Sequence, residues 1–123
     1  MQKNILLVED DIPFARSEQQ VLESLGHTVV VCQTAKASVD RLLIERFDII
    51  VLDLGLGNST LEGLGVIQSI RQKAVHVPPI VITSGHGRQL IEWAAATVDA
   101  SQWLQKPFTA DQLAGAIALI AEH

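Results

Sequence analysis

Five short apolar or β-branched runs alternate with five segments of helical spacing along the 123 residues. That alternation predicts an α/β fold of the (βα)₅ type, built on a doubly wound parallel sheet of five strands. Two further observations agree. The run "DIIVLDL" is apolar almost without interruption, as in a strand buried on both faces. Parallel neighbours also require right-handed crossovers, and the helices that make them cover both faces of the sheet. The length and a hydrophobic content of 48% suit a single domain, residues 1–123, with one core. No internal repeat, low-complexity tract or Pro/Gly-rich linker marks a second one.

Strands are expected over residues 5–8, 28–32, 48–52, 80–83 and 102–104, each bounded by turn or polar residues. The first helix follows from the spacing of Phe14, Val21, Leu22 and Leu25, with Asp11 leading in, Pro13 in the first turn and Gly26 after the end. Val39, Leu42 and Leu43 define the second, Leu64, Ile67 and Ile70 the third, and Leu90, Ile91, Ala94 and Val98 the fourth. Leu113, Ala116, Ile117 and Ile120 define the fifth, opened by the capping-box pair Thr109 and Gln112.

Nine Lys and Arg against 14 Asp and Glu leave a formal net charge of −5, which argues against direct nucleic-acid binding. The one cysteine, Cys32, cannot form an internal disulfide and reads as a small buried hydrophobe in a reducing compartment. The N-terminus has too short an apolar run for a signal peptide, and no stretch approaches the roughly 18 apolar residues of a membrane span. A cytoplasmic protein with no membrane partner is expected.

In open parallel sheets the functional crevice lies beyond the carboxyl ends of the strands. Those ends deliver Glu9 and Asp10 from the first strand, Asp53 from the third, Thr83 and Ser84 from the fourth, and Lys106 with Pro107 after the fifth. Carboxylates crowded together repel unless a cation joins them. With oxygen ligands and no Cys or His pair at metal spacing, that cation is Mg²⁺, or Mn²⁺, rather than zinc. A carboxylate nucleophile, a hydroxyl and a lysine beside Mg²⁺ suit phosphoryl transfer.

With "VEDD", "VLDL", "TSG" and "KPF" in this order, the chain resembles, over essentially its whole length, the receiver domain of two-component response regulators. The resemblance implies a flavodoxin-like (CheY-like) sheet of order 2-1-3-4-5. It implies that Asp53 accepts the phosphoryl group, that Asp10 binds Mg²⁺ directly, and that Glu9 does so through water. Gly55 falls where a backbone carbonyl completes the metal shell. Thr83 and Ser84 both offer a hydroxyl; receivers commonly place theirs 22 residues before the lysine, which selects Ser84. Lys106 corresponds to the lysine that contacts acceptor and phosphate, carried on a cis Lys-Pro bond. Trp103 occupies the place of an aromatic that changes rotamer on activation, while Trp93 is expected in core or interface packing. The implied partners are a sensor histidine kinase or histidine phosphotransfer protein, a downstream protein or output domain, and a second copy in a homodimer.

The sequence also departs from the family pattern. "DLGLGNSTLEGLG" carries Gly57 where receivers have proline four residues after the acceptor, and the matching glycine is Gly63, ten on, so the loop is expected to be two residues longer and more flexible. Asp99 stands where glycine is usual after the fourth helix, a position Asp tolerates. His86 and Gly55 are expected to tune loss of the phosphoryl group. Two other classes compete with the switch: a receiver-shaped interaction module not regulated by phosphorylation, and a Mg²⁺-dependent phosphatase or phosphotransferase using an aspartyl phosphate. The latter lacks its second acid, because Gly55 stands two residues after Asp53. A flavin binder is disfavoured by the acidic turn after the first strand.

Overall fold

The computed structural model describes residues 2–55, 60–73 and 76–121, without the side chains of 60–62 and 121. The elements alternate as expected: β1 Asn4–Val8, α1 Ile12–Ser24, β2 Thr28–Cys32, α2 Ala35–Ile44, β3 Ile49–Asp53, α3 Thr60–Lys73, β4 Ile80–Ser84, α4 Arg88–Thr97, β5 Gln102–Gln105 and α5 Ala110–Ala121. All strand pairs are parallel, in the order β2-β1-β3-β4-β5. β3 and β4 run one residue further than their apolar content suggests, because the ladders continue through the Asp53–Thr83 and Ser84–Gln105 pairs. Asp53 and Ser84 therefore belong to the strands themselves.

The sheet divides the interior into two half-cores. Leu6, Val8, Ile50, Leu52, Ile80 and Ile82 pack against α2, α3 and α4. Ile5, Leu7, Ile49, Val51 and Val81 pack against α1 and α5. Cys32 is buried at the end of β2. Trp93 is 55% exposed and so lies outside the core: it faces away from Ile91 and Ala94, the buried stripe of α4. Leu25 is also exposed, since α1 ends one residue before it.

The helix ends bear out the sequence signals. Asp11 caps α1 through a hydrogen bond to its Oδ1 from the Phe14 amide (3.2 Å). Gly26, at φ +92°, terminates that helix with reverse bonds from its own amide to the Glu23 carbonyl and from the His27 amide to that of Leu22. Asp99 does the same for α4 at φ 53°, with the Ala100 amide reaching the Ala95 carbonyl at 2.9 Å. Thr109 and Gln112 form the reciprocal capping box of α5. The residue that departs from the proline pattern, Gly57, lies outside the described residues. Gly63 is buried where α3 meets the chain after β3: a Cβ there would stand 2.8 Å from both Cα and O of Leu54.

Candidate functional site

Successive side chains on a strand point to opposite faces, and this decides which residues meet at the top of the sheet. On β1 the α1/α5 side takes Ile5 and Leu7 and, next in the alternation, Glu9; on β3 it takes Ile49, Val51 and Asp53. Val81 leads in the same way to Thr83, and Leu104 to Lys106. Three of the residues expected from the sequence, Glu9, Asp53 and Lys106, thus meet beneath α1 and α5. Ser84 follows Ile82, which packs on the opposite face.

Lys106 is the hub of the cluster. Its Nζ donates to Glu9 Oε1 at 2.6 Å and lies 3.5 Å from Asp53 Oδ1, so its tighter partner is Glu9. The same ammonium sits 4.2 Å from the centroid of the Phe14 ring, which itself meets Phe108 edge to face at 5.6 Å. The peptide bond between Lys106 and Pro107 is cis. Burial pulls the lysine pKa down, but the Glu9 hydrogen bond and the charges of Asp53, Glu9 and Glu18 outweigh it and leave the pKa raised. Glu9 is 1% exposed, and its Oε2 accepts from the Asp11 amide at 3.2 Å. Desolvation pushes its pKa up to about 7; the hydrogen bond from Lys106 opposes the shift, and neighbouring Asp53 adds to it.

Glu9, Asp10 and Asp53 each offer one carboxylate oxygen, all within 4.8 Å of one another. Ligand oxygens of an octahedral Mg²⁺ bound at about 2.0–2.1 Å are roughly 3–4 Å apart, so small side-chain movements would let these three fit the ion. Gly55 closes the other side of Asp53: its amide donates to Asp53 Oδ1 at 3.1 Å, and a Cβ there would touch both Asp53 oxygens at 3.6 Å.

The two hydroxyl candidates differ in placement. Thr83 is the ladder partner of Asp53, and Ser84, the last residue of β4, accepts at Oγ from the His86 amide (3.1 Å). Both are buried, whereas His86 is exposed. Trp103 is half-buried against the cluster beneath α4, with the Arg88 guanidinium 5.6 Å from its ring. Gln105 Nε2 donates to the His86 carbonyl at 3.1 Å, tying β5 to the loop after β4.

Three residues around this site escape the sequence reading. Phe14 reads as core but stacks on Lys106, and Arg88 carries no motif. Glu18 is an acid four residues from Phe14 and four from Leu22, inside the apolar stripe of α1, and that position is the signal that marks it. It is 3% exposed, and neither of its carboxylate oxygens has a hydrogen-bond partner among the described residues.

A parallel sheet of order 2-1-3-4-5 carrying an acid triad and a lysine at its carboxyl edge defines a receiver. Residues 5–118 match the family model of the response regulator receiver domain, and the chain belongs to that family. It is 32% identical to the transcriptional regulatory protein CrdR of Helicobacter pylori over 114 residues, covering 92% of this chain and 52% of that protein. Identity is also 32% over 115 residues to the nitrogen assimilation regulatory protein NtrX of Azorhizobium caulinodans, covering 92% of this chain and 25% of the relative. The chain thus spans about half the length of the first of these relatives and a quarter of the second. Among solved structures, NtrX from Brucella abortus superposes with a TM-score of 0.88 at 26% identity over 99% of this chain and 27% of the other. A two-component response regulator from Clostridium difficile shares the fold at a TM-score of 0.86 and 21% identity, covering 99% of this chain and 98% of the other. Family membership places the chain in phosphorylation-regulated two-component signalling. Among the described residues no helix is long and apolar enough to cross a membrane.

Proposed function

We propose that the chain is a cytoplasmic switch whose Asp53 accepts a phosphoryl group from a phosphohistidine on a sensor histidine kinase or histidine phosphotransfer protein. The observation that carries this reading is the convergence of three carboxylates within 4.8 Å, two of them held by one lysine. Glu9, Asp10, Asp53 and the Gly55 carbonyl would hold Mg²⁺, which when bound neutralises phosphoryl oxygens. An Asp53 oxygen attacks phosphorus in line, the P–N bond breaks and its electron pair leaves with the imidazole, giving an acyl phosphate. Lys106, already anchored between Glu9 and Asp53, offers its ammonium to the incoming oxygens without a large rearrangement.

The new group brings about −1.5 to −2 charges and acceptor oxygens beside the end of β4. Ser84 answers it by leaving the His86 amide, which frees the β4–α4 loop; Trp103, on β5 and packed toward α4, carries the change to the surface a partner reads. That partner is a downstream protein, an output domain or a second copy. Gly55, against the Asp53 oxygens, and His86, exposed at the rim, tune how fast the group is lost. The domain acts as a regulator that assists its own phosphorylation rather than as an enzyme on other substrates.

Incubation with Mg²⁺ and acetyl phosphate, followed by intact mass, should show one phosphoryl adduct on the native chain and none on Asp53→Asn. No adduct on the native chain, with Mg²⁺ binding intact, would reassign the chain as a phosphorylation-independent interaction module. Adducts on both would remove Asp53 as the unique acceptor. In a Trp93→Phe background, phosphorylation should change Trp103 fluorescence, and Ser84→Ala should suppress that change while Thr83→Val leaves it. The opposite pattern would move the hydroxyl role to Thr83, whose ladder register beside Asp53 is its physical claim.

A further inference from the structure

A second feature lies in the cleft between α1 and α5. It measures about 190 Å³ and is lined by Phe14, Ser17, Glu18, Val21, Phe108, Thr109, Ala110 and Leu113. Ser17 and Thr109 stand at its exposed rim, Phe14, Val21 and Phe108 form half-buried apolar walls, and Glu18 and Leu113 lie at the buried floor. Glu18 is 97% buried, and among the described residues its carboxyl finds no hydrogen-bond partner. A buried polar group without a partner is costly whether charged or neutral, and a folded protein rarely keeps one with no use for it.

Lys106, the cation whose charge Glu18 feels, makes no hydrogen bond to it: its ammonium is bound to Glu9, lies close to Asp53 and sits over the Phe14 ring. The other charges that Glu18 feels, Glu9 and Asp53, share its sign. An anionic occupant is therefore excluded, and a cation is favoured twice, by the unpaired acid and by the two aromatic walls. The volume falls below the roughly 300 Å³ at which sites for drug-sized ligands begin, so the occupant is small. The apolar walls suit the methylene stem of an amphipathic cation.

We propose that this cleft is a binding site for a single ammonium or guanidinium group on a short apolar stem, ion-paired with Glu18. The group has two sources, a free small amine or a lysine or arginine side chain of a bound protein segment. Burial together with the negative charge of Glu9 holds the Glu18 pKa up at about 8, so below that pH the cation has to displace a proton. Affinity consequently rises as pH approaches 8 from below.

The test titrates the ¹⁵N-labelled chain with n-butylammonium and with blocked Gly-Lys-Gly and Gly-Arg-Gly tripeptides, against butanol and butyrate at matched ionic strength. Saturable amide shifts are expected at Ser17, Val21, Thr109 and Leu113 with a cationic probe, stronger at pH 8 than at pH 6. Glu18→Gln should weaken that binding by about tenfold or more, the loss of one charge-assisted bond, and Glu18→Leu should abolish it should the Gln variant fold poorly. Tighter binding of butylammonium assigns the site to free amines, and tighter binding of a tripeptide to side chains of a partner. No saturable shifts, equal shifts with butanol or butyrate, or unchanged affinity in both Glu18 variants would overturn the site. The assay uses neither Mg²⁺ nor phosphodonor, so its outcome does not depend on whether Asp53 accepts a phosphoryl group.

Discussion

Replacing Glu18 by leucine should stabilise the metal-free protein by about 2–5 kcal/mol at pH 8, an unusual sign for a buried substitution. Removing the unpartnered carboxyl recovers about 1–3 kcal/mol of desolvation cost, and burying a leucine side chain adds about 1–2 kcal/mol. The pH dependence carries the stronger signature. In the unfolded chain Glu18 ionises around its ordinary pKa of 4.5, whereas in the folded protein desolvation holds its proton until about pH 8. Between those values the folded state binds more protons than the unfolded one, so native stability falls as pH rises, by at most about 1.4 kcal/mol per pH unit from this group. Glu9, raised to about 7, contributes in the same direction over the lower part of the window. Urea denaturation in a chelator from pH 5 to 8.5 should show a steep decline for the native chain and a shallower one for Glu18→Leu. Parallel curves would show that Glu18 finds a partner or water in solution. A protein that keeps such an acid at that cost keeps it for a purpose other than folding, which is the thermodynamic face of the cation site.

The second large effect concerns Gly63, because the ordinary helix rule fails there. Glycine to alanine inside a helix normally gains up to about 1 kcal/mol. Here the added Cβ would lie 2.8 Å from Leu54 Cα and O, both backbone atoms that cannot rotate away. We expect Gly63→Ala to lose about 1–3 kcal/mol through overpacking. Gly65→Ala, two residues along the same helix with open space at its Cβ, should instead gain up to about 1 kcal/mol. Denaturant midpoints of the two variants on opposite sides of the native value would bear this out; equal midpoints would show that α3 shifts to make room. Because Leu54 directly follows Asp53, Gly63→Ala should also slow reaction with acetyl phosphate, while Gly65→Ala should not.

Much of this architecture is written locally. The five runs, the Asp11 cap, the Thr109–Gln112 box and the turn at Gly26 each rest on a few adjacent residues, and each is found in place. The acids and the lysine are legible for the same reason: each ends a strand, and a parallel sheet brings strand ends to one edge. What the sequence hides depends on contacts between elements distant in the chain. The preference of Lys106 for Glu9 over Asp53 is a matter of side-chain reach across 97 residues. Glu18 lies at the floor of a cleft that α1 and α5 form together, and Trp93 is exposed because its helix presents Ile91 and Ala94 to the sheet instead. Between Thr83 and Ser84, spacing to Lys106 and ladder register to Asp53 point to different residues, and only the assembled sheet makes the second argument available.

The division of the interior by the sheet gives the molecule two compartments with separate upkeep. On one side lie Glu9, Asp53, the lysine and the cleft of α1 and α5; on the other lie Trp103 and the helix it rests on. Between them stands a wall one polypeptide thick, whose strands are shared property, so the adjacent pair Thr83 and Ser84, one facing each way, is its doorway. Substitutions in the far room can change what a partner meets there without touching the residues of the near one, provided the doorway stays in place.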